Sequence, residues 1–142
     1  MIVAYTDGAC FKNPGPMGIG VAIYRDGIRV EELSEYLGYG TNNIAEYTAV
    51  IKALETARQM GETEVHIKSD SQLIVCQLNG QYKVRDVKLM ALKKEIVRLC
   101  IGLKVRFEHI PREHNRIADE LSKEGAEMGR KGITNEKEVK RK

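Results

Sequence analysis

Four carboxylates, Asp7, Glu46, Asp70 and Asp119, stand where separate elements of a folded chain can bring them together. Asp7 follows a short β-rich run and Glu46 opens a helical pattern. Asp70 closes an alternating run, and Asp119 lies near the start of the last helical pattern. Strand ends and helix N-termini crowd one edge of an α/β sheet, where such folds bind ligands. Converging carboxylates repel one another and retain protons unless a cation neutralises them. Hard oxygen ligands favour Mg²⁺ or Mn²⁺ over zinc. Two such ions, about 4 Å apart, can clamp the attacking and leaving oxygens of a phosphodiester. The chemistry open to this set is metal-assisted phosphodiester hydrolysis. Each acid alone has a plainer reading. Asp7 suits an Asp7-Gly8 turn, and Glu46 suits the third position of a capping box begun by Asn43. Asp70 suits the N-cap of a helix starting near Ser71, and Asp119 an exposed helix surface.

The elements that must position these acids follow from changes of hydrophobic period. Residues 2–7 and 18–27 read as strands, and Asp26-Gly27 as a hairpin turn into a third strand over 28–37. Residues 9–18, rich in Gly and Pro, read as a loop. Ile44, Tyr47, Ile51 and Leu54 fall at helical spacing within 44–57, ahead of Gly61. A strand is expected over 64–70, helices over 71–79 and 86–103, a strand over 104–110 that stops at Pro111, and a last helix over 115–129. The order β-β-β-α-β-α-α-β-α predicts an α/β fold with a mixed five-stranded sheet flanked by helices.

Composition narrows the class. A chain of 142 residues fits one domain, and no apolar run approaches the 18 residues of a membrane span. The N-terminus lacks the basic and small-residue pattern of a signal peptide, so the cytoplasm is the expected location. The net charge of +3 resides in residues 131–142, which hold five Lys/Arg and two Glu. The remaining residues carry 18 charges of each sign, so the charge is weak evidence for any partner. A domain over 1–130 followed by a basic, flexible tail is the expected organisation. Cys10, Cys76 and Cys100 are too far apart for a C-x-x-C metal or redox site, and the latter two read as small core residues.

The local contexts of the acids carry more. TDGAC-x-x-N (6–13), TNNIAEY (41–47), SDS (69–71) and HNRIADELS (114–122) occur in that order. Together they resemble the motif set of type I ribonuclease H, over roughly residues 1–128. The resemblance implies an endoribonuclease that hydrolyses the RNA strand of RNA–DNA hybrids and leaves 5′-phosphate and 3′-hydroxyl ends. It implies that Asp7, Glu46, Asp70 and Asp119 hold two Mg²⁺ ions, with Mn²⁺ as the alternative. It also places Asn13, Asn42 and Asn43 in the hybrid's minor groove, Thr41 on a DNA-strand phosphate, and Gly8, Cys10 and Ser71 beside the RNA strand. Amide side chains both donate and accept, which suits the 2′-hydroxyl that marks RNA.

Two family features are missing. Many members carry a basic, Trp-containing insertion between the central helices, where only 80–86 lies here. Six basic residues between Lys83 and Arg98, Lys83 and Arg85 among them, face only Asp86 and Glu95, and this excess could follow a DNA backbone. Many members also place a histidine on a flexible loop before the last acid. That loop is short here, and His114 lies only five residues before Asp119, with Arg112 or Glu113 as substitutes. No separate hybrid-binding domain is expected, so cleavage should be distributive and salt-sensitive, by a monomer without an obligate protein partner. Double-stranded RNA is expected as a side substrate. A resolvase or exonuclease of the same fold is the alternative enzyme. A non-catalytic binding module is the other alternative, and retention of all four acids counts against it.

Overall fold

Glycines that sequence reading takes for turn formers serve here as clearances, and this moves the first strand boundaries. The computed structural model describes residues 1–131. The expected tail therefore lies, from residue 132 on, outside the described residues. The elements are β1 (Ile2–Cys10), β2 (Gly15–Arg25), β3 (Ile28–Gly40), α1 (Asn42–Gln59), β4 (Glu64–Ser69), α2 (Gln72–Leu78), α3 (Val87–Leu99), β5 (Lys104–His109) and α4 (Arg116–Arg130). A 3₁₀ turn at Arg112–His114, absent from the sequence expectation, precedes α4. The order of strands and helices is the expected one.

β1 does not stop at Asp7. It continues through the Asp7-Gly8 pair, with Asp7 opposite Gly20 and Gly8 opposite Ile19 of β2. The expected turn is absent because Gly8 serves close approach: a Cβ there would lie 2.4 Å from the Glu46 backbone nitrogen. The expected loop over 9–18 shrinks likewise, since β2 begins at Gly15 and pairs with β3 from Gly40 onward. Asp26 and Gly27 do form the hairpin turn, both with positive φ, 53° and 79°.

The sheet runs β3-β2-β1-β4-β5. The first three strands are antiparallel, while β4 pairs parallel with β1 and with β5. Ile2 and Ala4 of β1, Ile19, Val21 and Ile23 of β2, and Val65 and Ile67 of β4 are buried in one core with Tyr47, Val50 and Leu54 of α1 and Leu89, Ile96 and Leu99 of α3. α1 ends at Met60, where the N–H groups of Gly61 and Glu62 return to the carbonyls of Arg58 and Ala57. Arg58 then donates to the Leu99 and Ile101 carbonyls, capping the end of α3. Cys10, Cys76 and Cys100 are free thiols, all half-buried, so the reading of the last two as core residues overstates their burial. Among the described residues no helix is long and apolar enough to cross a membrane.

α4 lies on the opposite face. Gly8 abuts α1, and the neighbouring Asp7 accepts a hydrogen bond from α4, as strand alternation requires. The contact with the sheet is backbone to backbone. A Cβ on Gly20 would sit 2.2 Å from the Ala118 carbonyl oxygen, and one on Gly18 2.0 Å from the Ala126 nitrogen. The buried residues of α4 are correspondingly small: Ala118, Ser122, Gly125 and Ala126. Ser34 of β3 donates to the Leu121 carbonyl and pins the helix along its length. Gly20→Ala is expected to lower stability by about 1–3 kcal/mol through this overlap. Urea denaturation checks it, and an unchanged midpoint would show that α4 yields freely.

Candidate active site

The chain pathway makes a gap at one edge of the sheet. β4 last pairs with β1 at Thr6 and Ser69, after which β4 leaves the sheet and β1 runs on to Cys10. Asp70 follows directly on β4, and Asp7 stands on the continuing strand. Glu46 reaches the same gap from α1, over Gly8. Oxygen atoms of Asp7, Glu46 and Asp70 all lie within 4.8 Å of one another. Asp119, on α4, lines the same cleft of about 310 Å³ at its side, together with Gly8, Cys10, Asn42, Arg112 and Lys123. Its carboxylate pairs with Lys123 Nζ at 3.1 Å, and its charge adds to those that raise the proton affinity of Asp7.

Each of the three crowded acids has a dedicated donor. The Gly8 N–H donates to Glu46 Oε1 at 3.1 Å. Asn115 Nδ2 donates to Asp70 Oδ2 at 3.1 Å and to the Thr6 carbonyl at 2.9 Å. The Ser122 hydroxyl lies 2.8 Å from Asp7 Oδ2. These bonds orient the carboxylates but do not neutralise them. Burial first, then the Asp70 charge, pushes the Asp7 carboxyl up to about 7, against the opposing Ser122 bond. Burial and then Asp7 and Asp70 hold Glu46 well above its ordinary range. Oxygen-only ligands crowded together, with Asp7 and Glu46 reluctant to ionise without a counter-charge, fit a hard divalent cation.

The plainer readings of the acids give way in three places. Thr41 caps α1, its hydroxyl accepting from the Ile44 N–H, so Glu46 lies beyond the capping positions and the Asn43–Glu46 box does not form. Ser71, accepting from the Ile74 N–H, caps α2 in place of Asp70. Thr41 and Ser71 place both their oxygens at helix starts because a hydroxyl on the residue just before the first turn reaches its free N–H groups. Asp7, as shown above, lies within a strand.

The other candidate residues divide. Asn13 Oδ1 accepts from the Asn42 N–H at 3.0 Å, which brings the β1–β2 loop to the start of α1 beside the cleft. Asn43 follows on the first turn of α1. The Cys10 thiol lies 3.2 Å from the Gly40 carbonyl and lines the cleft, its pKa raised by burial. Lys83 and Arg85 are exposed in the 79–86 connection and do not line the acid cleft. Lys83 lines a separate groove with Tyr82, Met90 and Val97. His114 is exposed and lines a different cavity with Tyr5 and Tyr24, whereas Arg112, two residues earlier on the 3₁₀ turn, lines the acid cleft. Sequence reading passed over Ser122 and Lys123. Their sequence signal is helical spacing of three and four residues from Asp119, which puts them on its face of α4, and Ser122 also closes the 114–122 motif.

Residues 5–125 match the reverse transcriptase-like family. A ribonuclease HI of Halobacterium salinarum is 39% identical over 123 residues, covering 85% of this chain and 62% of that protein. A ribonuclease H of Syntrophus aciditrophicus is 34% identical over 141 residues, covering 88% and 80%. The crystal structure of LC11-RNase H1 in complex with an RNA/DNA hybrid superposes with a TM-score of 0.86 at 41% identity, covering 91% of this chain and 99% of that one. The chain thus spans under two thirds of the halobacterial protein, and 34% of a bifunctional protein of Mycobacterium tuberculosis that it also matches.

The raised Asp7 carboxyl has a consequence for stability without metal. Its folded state keeps a proton that the unfolded chain releases near pH 4, so its contribution falls as pH rises from about 4 through 7. Asp7→Asn should gain on the wild type between pH 5 and pH 8 in EDTA by on the order of 2 kcal/mol. Urea denaturation at the two pH values measures the difference. A gap that is constant, or narrows with pH, would refute the assignment.

Proposed function

The chain belongs to the type I ribonuclease H family, and on that footing we propose that it is an endoribonuclease hydrolysing the RNA strand of RNA–DNA hybrids. The observation that carries this reading is the cluster of Asp7, Glu46 and Asp70 oxygens within 4.8 Å of one another. It lies on the fold of a hybrid-bound relative at 41% identity. Asp7, Glu46, Asp70 and Asp119 would hold two divalent ions, Mg²⁺ with Mn²⁺ as the alternative. When bound, the metal supplies the Lewis acidity that activates water and stabilises the leaving 3′ oxygen, giving 5′-phosphate and 3′-hydroxyl ends.

The protein's own groups orient and select. Gly8, Asn115 and Ser122 hold three of the carboxylates in place. Arg112 and Lys123 put positive charge at the rim of the cleft, where a scissile phosphate would enter. Asn13 and Asn42, joined by a hydrogen bond, read 2′-hydroxyls in the minor groove together with Asn43. Thr41 and Ser71 keep hydroxyl protons free to meet phosphate or sugar on the two strands, and Cys10 flanks the RNA. Lys83 and Arg85 follow the DNA strand. Arg112, in the cleft, takes the place of the family's loop histidine better than His114. The catalytic unit is residues 1–130, acting as a monomer in the cytoplasm, with double-stranded RNA as a side substrate.

End-labelled RNA–DNA, RNA–RNA and DNA–DNA duplexes and single-stranded RNA, incubated with Mg²⁺, Mn²⁺ or EDTA, test the reading. Metal-dependent cutting should favour the hybrid and fall to background in Asp70→Asn. Absence of hybrid cutting by folded protein in either metal would sink it. The double substitution Lys83→Ala with Arg85→Ala should raise KM and reduce the salt slope of hybrid binding by about 1 per lost phosphate contact. An unchanged slope would remove these two residues from the interface.

A further inference from the structure

Asp7 and Asp119 arrive from β1 and α4, and one hydroxyl lies between the two elements. Ser122 is fully buried. Its Oγ is 2.8 Å from Asp7 Oδ2 and 2.8 Å from the Asp119 carbonyl oxygen. A hydroxyl has one proton to donate. The Asp119 carbonyl lies within α4, where the helical ladder supplies it with a backbone donor. Asp7 Oδ2 has no such provision, so the proton does most there.

The surroundings admit little else at this position. Gly20, the register partner of Asp7, is where β2 gives way to α4: a Cβ there would lie 2.5 Å from the Ser122 nitrogen. The space beside Asp7 is thus closed by backbone on two sides and filled by a two-atom side chain. The three crowded acids each receive one donor, but the three differ in kind. Gly8 offers a backbone N–H, and Asn115 also holds the Thr6 carbonyl. Only Ser122 can lose its donor to its carboxylate by removal of a single atom.

We propose that Ser122 is a positioning residue of the metal site. Its hydroxyl fixes the Asp7 carboxylate so that it faces Glu46 and Asp70, and ties it to the first turns of the helix that carries Asp119. The inference rests on the metal-hydrolysis reading and deepens it. Partners of this kind typically change metal affinity 10–100-fold when removed.

The test is calorimetric titration of the metal-free full-length protein with Mn²⁺, alongside the Mn²⁺ dependence of hybrid cleavage. Ser122→Ala should weaken Mn²⁺ binding about tenfold or more. The metal midpoint for cleavage should move with it, and KM for the hybrid should not. Ala126→Gly, which loosens the same helix without touching a hydroxyl, should lower the melting temperature and leave Mn²⁺ affinity unchanged. Ser122→Cys, similar in size but a weaker donor, should fall between Ser122→Ala and wild type, and it carries the test if the alanine variant does not fold. Wild-type Mn²⁺ affinity in Ser122→Ala, or in Ser122→Cys if it stands in, overturns the proposal. So does equal weakening in Ala126→Gly. Asp7→Asn separates the two levels: if it too binds Mn²⁺ like wild type, the metal reading itself fails, and if it alone weakens binding, only the role of Ser122 does.

Discussion

Three carboxylates with oxygens inside 4.8 Å of one another form an arrangement that a protein interior resists. Burial removes the water that would screen them, and the Asp70 charge raises the proton affinity of Asp7 and Glu46. The local fold is organised to hold them there nonetheless. β1 outruns β4 and opens the gap, Gly8 lets α1 come close enough for Glu46 to reach over the strand, and each acid receives one directed hydrogen bond. None of these donors carries a full charge. The cluster is therefore oriented but left electrostatically incomplete, which makes it selective for a cation.

The two faces of the sheet divide the work. On the α1 face, branched and aromatic side chains fill the space between strands and helices, and the burial of Ile19, Val21, Ile67 and Leu54 supplies the usual apolar stabilisation. On the α4 face the spacing is set by backbone against backbone at Gly18 and Gly20. Long side chains adapt by changing rotamer, while a backbone contact has no such freedom. The helix whose face carries Asp119, Ser122 and Lys123 is thus the one held to the tightest tolerance.

The acids were legible in the sequence because they stand in recognisable local motifs, and because periodicity gave the elements that carry them in the right order. The Asp26-Gly27 turn was legible because its two positive φ angles are a local demand. Other features depend on contacts distant in sequence. Gly8 looks like a turn residue until α1 is laid over it. Thr41 and Ser71 rather than Asn43 and Asp70 cap their helices, a difference of one or two residues that decides whether Glu46 and Asp70 are spent on helix capping or turned to the cleft. His114 and Arg112 exchange places because a 3₁₀ turn, invisible to apolar periodicity, rotates one into the cleft and the other away. Ser122 acquires its contact only once α4 lies on glycine.

The two capping hydroxyls have an asymmetry of their own. In Thr41 and Ser71 the oxygen already accepts from a helix N–H. Each hydroxyl therefore shows its surroundings chiefly a proton, held in direction by the cap. An Asp at either position would cap its helix as well or better, yet would turn an acceptor outward. Helix initiation and the polarity presented to an approaching molecule are thus separable at these positions. A chain selected for folding alone would have no reason to prefer the hydroxyl.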